Sequence, residues 1–528
     1  MMGFGRRLTG FVGAFGVSFL AFPAWAALTP GIYEGLLDTG HGGPQGLFRL
    51  VVSQKAGAWE GVLAAVAKPD APPPMTIPLV VDGRLLSLSL PSKAGALTCK
   101  ARIAKDALAP VETTPACRLS MVTVAPQSRA SGLSGAWRAA DGRIFAVATL
   151  ADWDNPLWVD YNSGRWNHLF DRGDELQGGS GFVDPRSPYL SLKPGRDGSW
   201  TLKSEGRRRV ALQRVTFREE PIAWTNAGIE LRGTLILPEG EGPFPAVVLT
   251  QMSAPAARDG YRLNAYFFAH HGIASLIYDR RGLGESGGKE ASAGMRDLAD
   301  DAVAGAHALQ ARADIRRNRV GVWGHSQGGW IAPIAAARSK DIAFVIAQSA
   351  PAVTAAEQEI FRVENVARSA GLSDADIAEA VDYEKRLMEW VRSGQGRAEI
   401  LALSRHSVDK PWASFVELRD DLPEKPSERA QTFWYFDPVP DFRTISVPVL
   451  GLFGEKDSFV PVARSVPIFR EALAAGGAPQ EIHVFPSTAH GLWTGPDDSL
   501  SGLLRSRGFH PDYWSTMGRW LKATAATK

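Results

Sequence analysis

A serine hydroxyl acts as a nucleophile only when a base can take its proton and a third group holds that base in place. Three stretches of this chain carry those residue types in order. The first is Arg319-Val-Gly-Val-Trp-Gly-His-Ser-Gln-Gly-Gly-Trp330, a short apolar run that passes at once into a segment rich in Ala and Ile. A strand that becomes a helix without a linker has room only for small residues at the corner. Gly324 and Gly328 would let the chain bend there and lift Ser326 out at the sheet edge, and this strand–turn–helix context gives the Gly-x-Ser-x-Gly pattern its meaning. The pentapeptide alone is a weak signal. A second match, Gly284-Glu285-Ser286-Gly287-Gly288, follows the charged run Asp279-Arg280-Arg281 instead of a strand, and reads as a Gly-rich surface loop.

The acid and the base come later in the chain. Asp457 lies in Gly454-Glu-Lys-Asp-Ser-Phe-Val-Pro461, directly after an apolar strand ending at Phe453. His490 lies in Pro486-Ser-Thr-Ala-His-Gly491, directly after a strand ending at Phe485. Both positions are carboxyl ends of strands, the rim on which Ser326 must also stand. Glu455 competes with Asp457 but is closer to the strand and expected to be solvated; His483 falls inside a strand. A tetrahedral intermediate also needs donors for its oxyanion. The backbone N–H of Gln327, at a helix N-terminus, is one candidate. The backbone N–H of Met252 or Ser253, in the loop after the strand ending at Thr250, is the other.

The elements that must position these residues read as a wound sheet. From about residue 216, Ile229–Leu237 alternates, Ala246–Thr250 is a continuous apolar strand, and helical stretches over 264–271 and 295–312 separate it from later strands. Strand and helix in strict alternation predict a mostly parallel sheet covered on both faces, an α/β class fold. Pro333 inside the elbow helix should kink or shift it. The alternation stops at Pro351; residues 351–440 read as a helical insertion that must leave and rejoin at strand ends, where ligands bind in such sheets. It is a candidate lid, with Phe433-Trp-Tyr-Phe436 as its aromatic segment.

Residues 27–215 differ. Short alternating runs such as Gly46–Val52 and Leu85–Leu90, punctuated by turn residues, predict an all-β region. A soft break near 126–132 divides it into modules at 27–128 and 129–215. There is no clean long repeat, and the region is too short for a seven-bladed propeller. Ahead of it, Arg6-Arg7, an apolar run from Phe11 to Phe22 and Ala24-Trp25-Ala26 resemble a secretory signal peptide over residues 1–26. The expected product is periplasmic or secreted, with no membrane span in the mature chain. In an oxidising compartment the two cysteines, Cys99 and Cys117, are expected to form one disulfide, two buried thiols being the alternative. Neither has a nearby Cys or His, so a metal site is not expected. A net charge of +2 over 528 residues gives no reason to invoke nucleic acid.

From about residue 229 the chain resembles the serine-dependent α/β-hydrolases, in particular bacterial carboxylesterase-like members related to the prolyl-oligopeptidase and dienelactone-hydrolase groups. The matching pieces are Gly242–Leu249, Tyr278–Ser286, Trp323–Pro333, Gly454 with Asp457, and His490-Gly491. The resemblance implies hydrolysis of a small-molecule ester or related acyl compound without a cofactor, on a triad of Ser326, Asp457 and His490. One departure stands out: such proteins usually carry His-Gly where this chain has Gln251-Met252, so that Gln251 could offer a side-chain amide to the oxyanion. An exopeptidase or amidase using the same three residues, and a weakly active binding protein, are the competing readings.

Overall fold

The computed structural model describes residues 27–39, 45–66, 73–92, 95–111, 113, 117–126, 128–149, 156–253, 257–290, 293–495 and 497–525. The signal-like segment 1–26 and Ala254-Pro255 of the candidate oxyanion loop lie outside them.

The all-β region is built as two closed barrels of eight strands each. In both, every strand pairs antiparallel with the next in sequence. Closure comes from the ends: Gly31–Asp38 pairs with Arg118–Thr123, and Gly135–Ala139 pairs with Val210–Val215. Eight strands leave an interior just wide enough for side chains to fill. Leu50, Leu86, Leu88 and Leu119 fill the first, and Trp158, Leu169, Leu176 and Leu192 fill the second. The alternation in sequence follows from this: one face of each strand enters the lumen. The hairpin expected around Asn162-Ser163-Gly164 is present, with Leu157 opposite His168 and Val159 opposite Trp166.

The remainder carries an eight-stranded sheet. In spatial order its strands are Arg218–Asn226, Ile229–Leu237, Ala274–Tyr278, Phe244–Thr250, Ile315–His325, Val345–Gln348, Val449–Gly454 and Gln480–Phe485. The first two run antiparallel; pairing from Ala274–Tyr278 onward is parallel. The central strands are buried on both faces, which is why they read as unbroken apolar runs. Helices Arg262–His270 and Tyr513–Thr524 pack on one face, in a core shared with the second barrel. Met295–Gln310, Gln327–Arg338 and Val462–Ala475 cover the other.

The helix Gln327–Arg338 runs unbroken through Pro333. The cost of one missing hydrogen bond is met by packing, since Gly328 to Ala336 are all buried. The Gly-rich loop around Ser286 lies at the surface as expected, with Gly284, Glu285, Gly287 and Gly288 exposed, although side chains within and before it turn inward. Asp279, Arg280, Arg281 and Ser286 are all buried, because their charges and hydroxyl find partners: Arg281 binds Asp301, and Ser286 Oγ donates to the Asp279 carbonyl while accepting from the Arg232 N–H. Residues 351–440 form five helices, from Ala355–Ser369 to Val439–Phe442, with a core of their own around Val363, Tyr383, Leu387 and Trp390.

Candidate active site

The elbow at Ser326 is a product of its glycines. A side chain at Gly324 would meet the Gly328 carbonyl oxygen at 1.9 Å, and one at Gly328 would meet the Thr250 carbonyl oxygen at 2.5 Å. With both corners bare, Ser326 adopts φ 59° and ψ −116°, a conformation that L residues seldom hold unless their surroundings impose it. Ser349, Ser487 and Leu492 also have positive φ, and all three border the same rim. Strained backbone concentrates where strand ends must present side chains at fixed angles.

Asp457 and His490 meet as their loop positions require. His490 Nδ1 lies 2.8 Å from Asp457 Oδ2, and both side chains are buried. The other carboxylate oxygen of Asp457 accepts the backbone N–H groups of Phe459 and Val460, each at 2.8 Å, which fixes the carboxylate plane. Burial alone would depress the His490 pKa, but the Asp457 charge and hydrogen bond, with a further contribution from Asp498, raise it above the ordinary histidine value. Ser326 is tied to the same place through the neighbouring strand: its N–H donates to the Gln348 carbonyl at 3.0 Å, while Ser349 Oγ donates to the His490 carbonyl at 2.7 Å. His325, one residue before the nucleophile candidate, has its ring 5.0 Å from that of His490. Burial, and then the nearby His490, push its pKa down to about 3, so it stays neutral. Among the described residues no hydrogen bond joins Ser326 Oγ to His490; catalytic hydrogen bonds of this kind often form fully only in the complex with substrate.

The oxyanion candidates gather around a residue that the motif search passed over. Arg280 donates to Gln327 Oε1 (2.6 Å), to the Met252 carbonyl (3.1 Å) and to the Ser253 carbonyl (3.3 Å), and pairs with Glu290. One guanidinium thus holds the loop and the helix N-terminus together. The Met252 N–H donates to Tyr261 Oη at 3.0 Å. Gln251 is buried, and its side-chain amide donates to the Tyr278 carbonyl, so it does not offer that donor to an oxyanion. Ser253 is exposed at the edge of a polar recess of about 280 Å³ that it shares with Arg280, Gln327, Arg429 and Phe433. On the other side of the elbow, His325 and Met252 instead wall an apolar cavity of about 240 Å³.

Asp498 was also missed. Its Oδ1 accepts the His490 N–H at 2.5 Å, and its Oδ2 accepts the Ser458 N–H at 2.7 Å and Ser458 Oγ at 2.9 Å. It clasps the two loops that carry Asp457 and His490. Burial, then the charge of Asp457, push its pKa up to about 6. Only its doublet with Asp497, just after the His490 loop, could have pointed to it. Among the described residues no group of three or more His, Cys, Asp or Glu side chains is placed to hold a metal ion.

Comparison with known proteins agrees with this architecture. A family model described as serine aminopeptidase, S33, matches residues 259–389, and one for the dienelactone hydrolase family matches residues 436–523. Esterase EstD of Thermotoga maritima is 24% identical over 341 residues, covering 63% of this chain and 73% of that protein. Esterase FrsA of Serratia proteamaculans is 26% identical over 181 residues, 29% of this chain and 44% of FrsA, so less than half of that relative's length is spanned. Among solved structures, the Pyrococcus furiosus esterase Pf2001 aligns with 58% of this chain and 92% of its own at 19% identity and a TM-score of 0.39. Two hydrolase family models falling in chain order on the wound sheet, and an esterase relative aligned over most of its length, identify this chain as an esterase-like member of the α/β-hydrolase superfamily.

Proposed function

We propose that the chain hydrolyses carboxylic esters through an acyl-enzyme formed on Ser326. The observation that carries this reading is the buried Asp457–His490 pair beside a serine in a strained elbow at a helix N-terminus. Ser326 Oγ attacks the acyl carbon as its proton passes to His490 Nε2, and Asp457 stabilises the imidazolium. The carbonyl oxygen becomes an oxyanion held by the N–H of Gln327 and by that of Met252, which exchanges its Tyr261 partner for the substrate. Collapse expels the alcohol, which takes the proton from His490. Water then attacks the acyl-enzyme with His490 again as base, releasing the acid and restoring the serine.

The Cys99–Cys117 disulfide supports an exported, periplasmic or secreted setting. Among the described residues no helix is long and apolar enough to cross a membrane. The 351–440 helices, which bring Arg429 and Phe433 to the recess beside Gln327, are read as a lid. Ser326→Ala is expected to lower turnover of 4-nitrophenyl acetate by about 10⁴-fold or more and to abolish labelling by a fluorophosphonate; full retention of turnover refutes the assignment. An amidase or exopeptidase on the same residues is favoured only by the aminopeptidase family match over 259–389. Parallel assays on an aminoacyl amide and an ester of the same acid separate the two.

A further inference from the structure

The apolar cavity beside the elbow has no place in the reading above; the aromatic segment of the 351–440 helices suggests an apolar acyl or aryl group but does not say where it would sit. None of the residues lining the cavity comes from those helices. It lies instead between the sheet, the His490-bearing segment and the second barrel. We propose that this cavity is the acyl subsite of the esterase, that it takes one flat aryl ring on a short linker, as in a phenylpropanoyl ester, and that the second barrel supplies its outer wall. The proposal rests on the esterase reading of Ser326.

The cavity meets the reaction centre at Met252, His325 and Gly491. One is a proposed oxyanion donor; the others adjoin Ser326 and His490 in sequence. Ser326 and His490 do not themselves line the cavity, so the short linker is what carries the carboxyl carbon from a ring seated there to the nucleophile. Its volume of about 240 Å³ lies below the roughly 300–1,000 Å³ of pockets that enclose whole drug-sized ligands, so it suits one arm of a substrate.

Its walls are aromatic. Trp166, from the barrel strand Trp166–Asp171, stands edge-on to Phe509 with ring centres 4.7 Å apart, and faces Trp493 at 6.3 Å. Trp166 is fixed there by its indole N–H, which donates to the Ser506 carbonyl at 3.3 Å. Rings arranged in this way receive a further ring edge-on or offset, a geometry that a linear alkyl chain does not exploit.

The lining also excludes charge. Tyr513 Oη donates to Gln348 Oε1 at 2.7 Å, and burial holds that phenol far above its ordinary pKa. His325 is the lining residue nearest to ionising and is held neutral. Among the described residues, no Asp, Glu, Lys or Arg lines the cavity. An aminoacyl ammonium or a second carboxylate would therefore be desolvated there without a counter-charge.

The test keeps the alcohol constant. Ethyl acetate, ethyl octanoate and ethyl 3-phenylpropanoate are compared on the full chain by titrating the released acid. The phenylpropanoate is expected to exceed both others in kcat/KM by about tenfold. Trp166→Leu and, separately, Trp493→Leu are each expected to lower the phenylpropanoate-to-acetate ratio by about fivefold or more. A native preference for acetate or octanoate, or a ratio unchanged in either folded variant, overturns the proposal. If Trp166→Leu does not fold, the half-buried Trp493 decides alone. Loss of the aryl preference with Ser326 still required sinks the subsite but not the esterase; turnover that survives Ser326→Ala sinks the esterase reading itself.

Discussion

The two barrels have the same strand number, the same order and the same manner of closure, yet they are stabilised by different means. In the first, the strand Ala107–Pro110 pairs with the closing strand only through Ala107 with Val122 and Leu108 with Met121. The disulfide bridges this weak point: Cys99 sits on the strand Gly95–Ala104, and Cys117 immediately precedes the closing strand. Its buried contribution to the core shared with the sheet is Leu36 and Leu47. The second barrel has no covalent staple. Its outer face, including Ala146, Val159, Tyr161, Trp166 and Phe170, is continuous with the helices Arg262–His270 and Tyr513–Thr524. One barrel is closed from within, the other by the domain it leans on, so damage to each should be felt in different places.

The largest expected effect is at the second seam. Tyr161 packs edge-on against Trp514 and Phe267, and its hydroxyl donates to the Leu263 carbonyl. Tyr161→Ala should cost about 3–5 kcal/mol in chemical denaturation and lower esterase activity in step, because the loosened helix follows closely on the loop proposed to hold the oxyanion. If stability falls with activity intact at all temperatures below the transition, the barrel is not coupled to the site.

Replacing both Cys99 and Cys117 by Ser removes an 18-residue closure, worth about 3 kcal/mol in the chain-entropy model. Hydrogen exchange should accelerate over residues 31–123 while kcat/KM stays within about twofold of native. Equal acceleration in both barrels contradicts the division drawn above.

Acid should act the other way. His270, at the second seam between Phe217 and Tyr161, has its pKa pushed down to about 4, chiefly by burial. Both folded and unfolded forms are neutral above the ordinary value near 6.5. As pH falls from there towards 4, only the unfolded chain gains the proton, so stability is lost over that window, by about 3 kcal/mol at most. Exchange at pH 4.5 relative to pH 7.5 should rise in residues 135–215 more than in 31–123.

The smallest effect concerns Asp498, in the segment that the second barrel holds. An amide cannot accept from both loops as a carboxylate does, so Asp498→Asn should lower kcat by about tenfold, comparable to losing one charge-assisted hydrogen bond. The acid limb of kcat/KM provides a second readout. In the proposed mechanism His490 must be neutral to accept the serine proton, and its raised pKa would place the native limb above pH 6.5. Removing the Asp498 charge should move that limb to lower pH; an unmoved limb would reduce Asp498 to a structural role.

Much of the sheet was legible because its signals are local. Apolar runs bounded by turns gave the strands, and Asp457 and His490 were located by their place just after two of them. Barrel closure was not legible, since period-two alternation says which face is buried but not that Tyr33 lies opposite Thr123. Arg280 and Asp498 were missed for a related reason. Each acts through backbone groups of distant loops, and nothing in their immediate neighbours encodes those partners. In sequence Arg280 reads only as part of a charged run, because a buried guanidinium looks like an exposed one until its acceptors are known.

The path of the chain after His490 has a consequence for turnover. Residues 486–512 form a long connection whose only helix among the described residues is the short Leu500–Arg505. Here its return arm is laced to the second barrel: Phe509 N–H donates to the Gly164 carbonyl at 2.9 Å, Phe182 N–H donates to the Ser506 carbonyl at 2.8 Å, and Arg165 bridges Gly508. The entropy of fixing the His490 imidazole is therefore lost once, during folding, and not at each encounter with substrate, so the second barrel would keep the proposed proton acceptor preorganised.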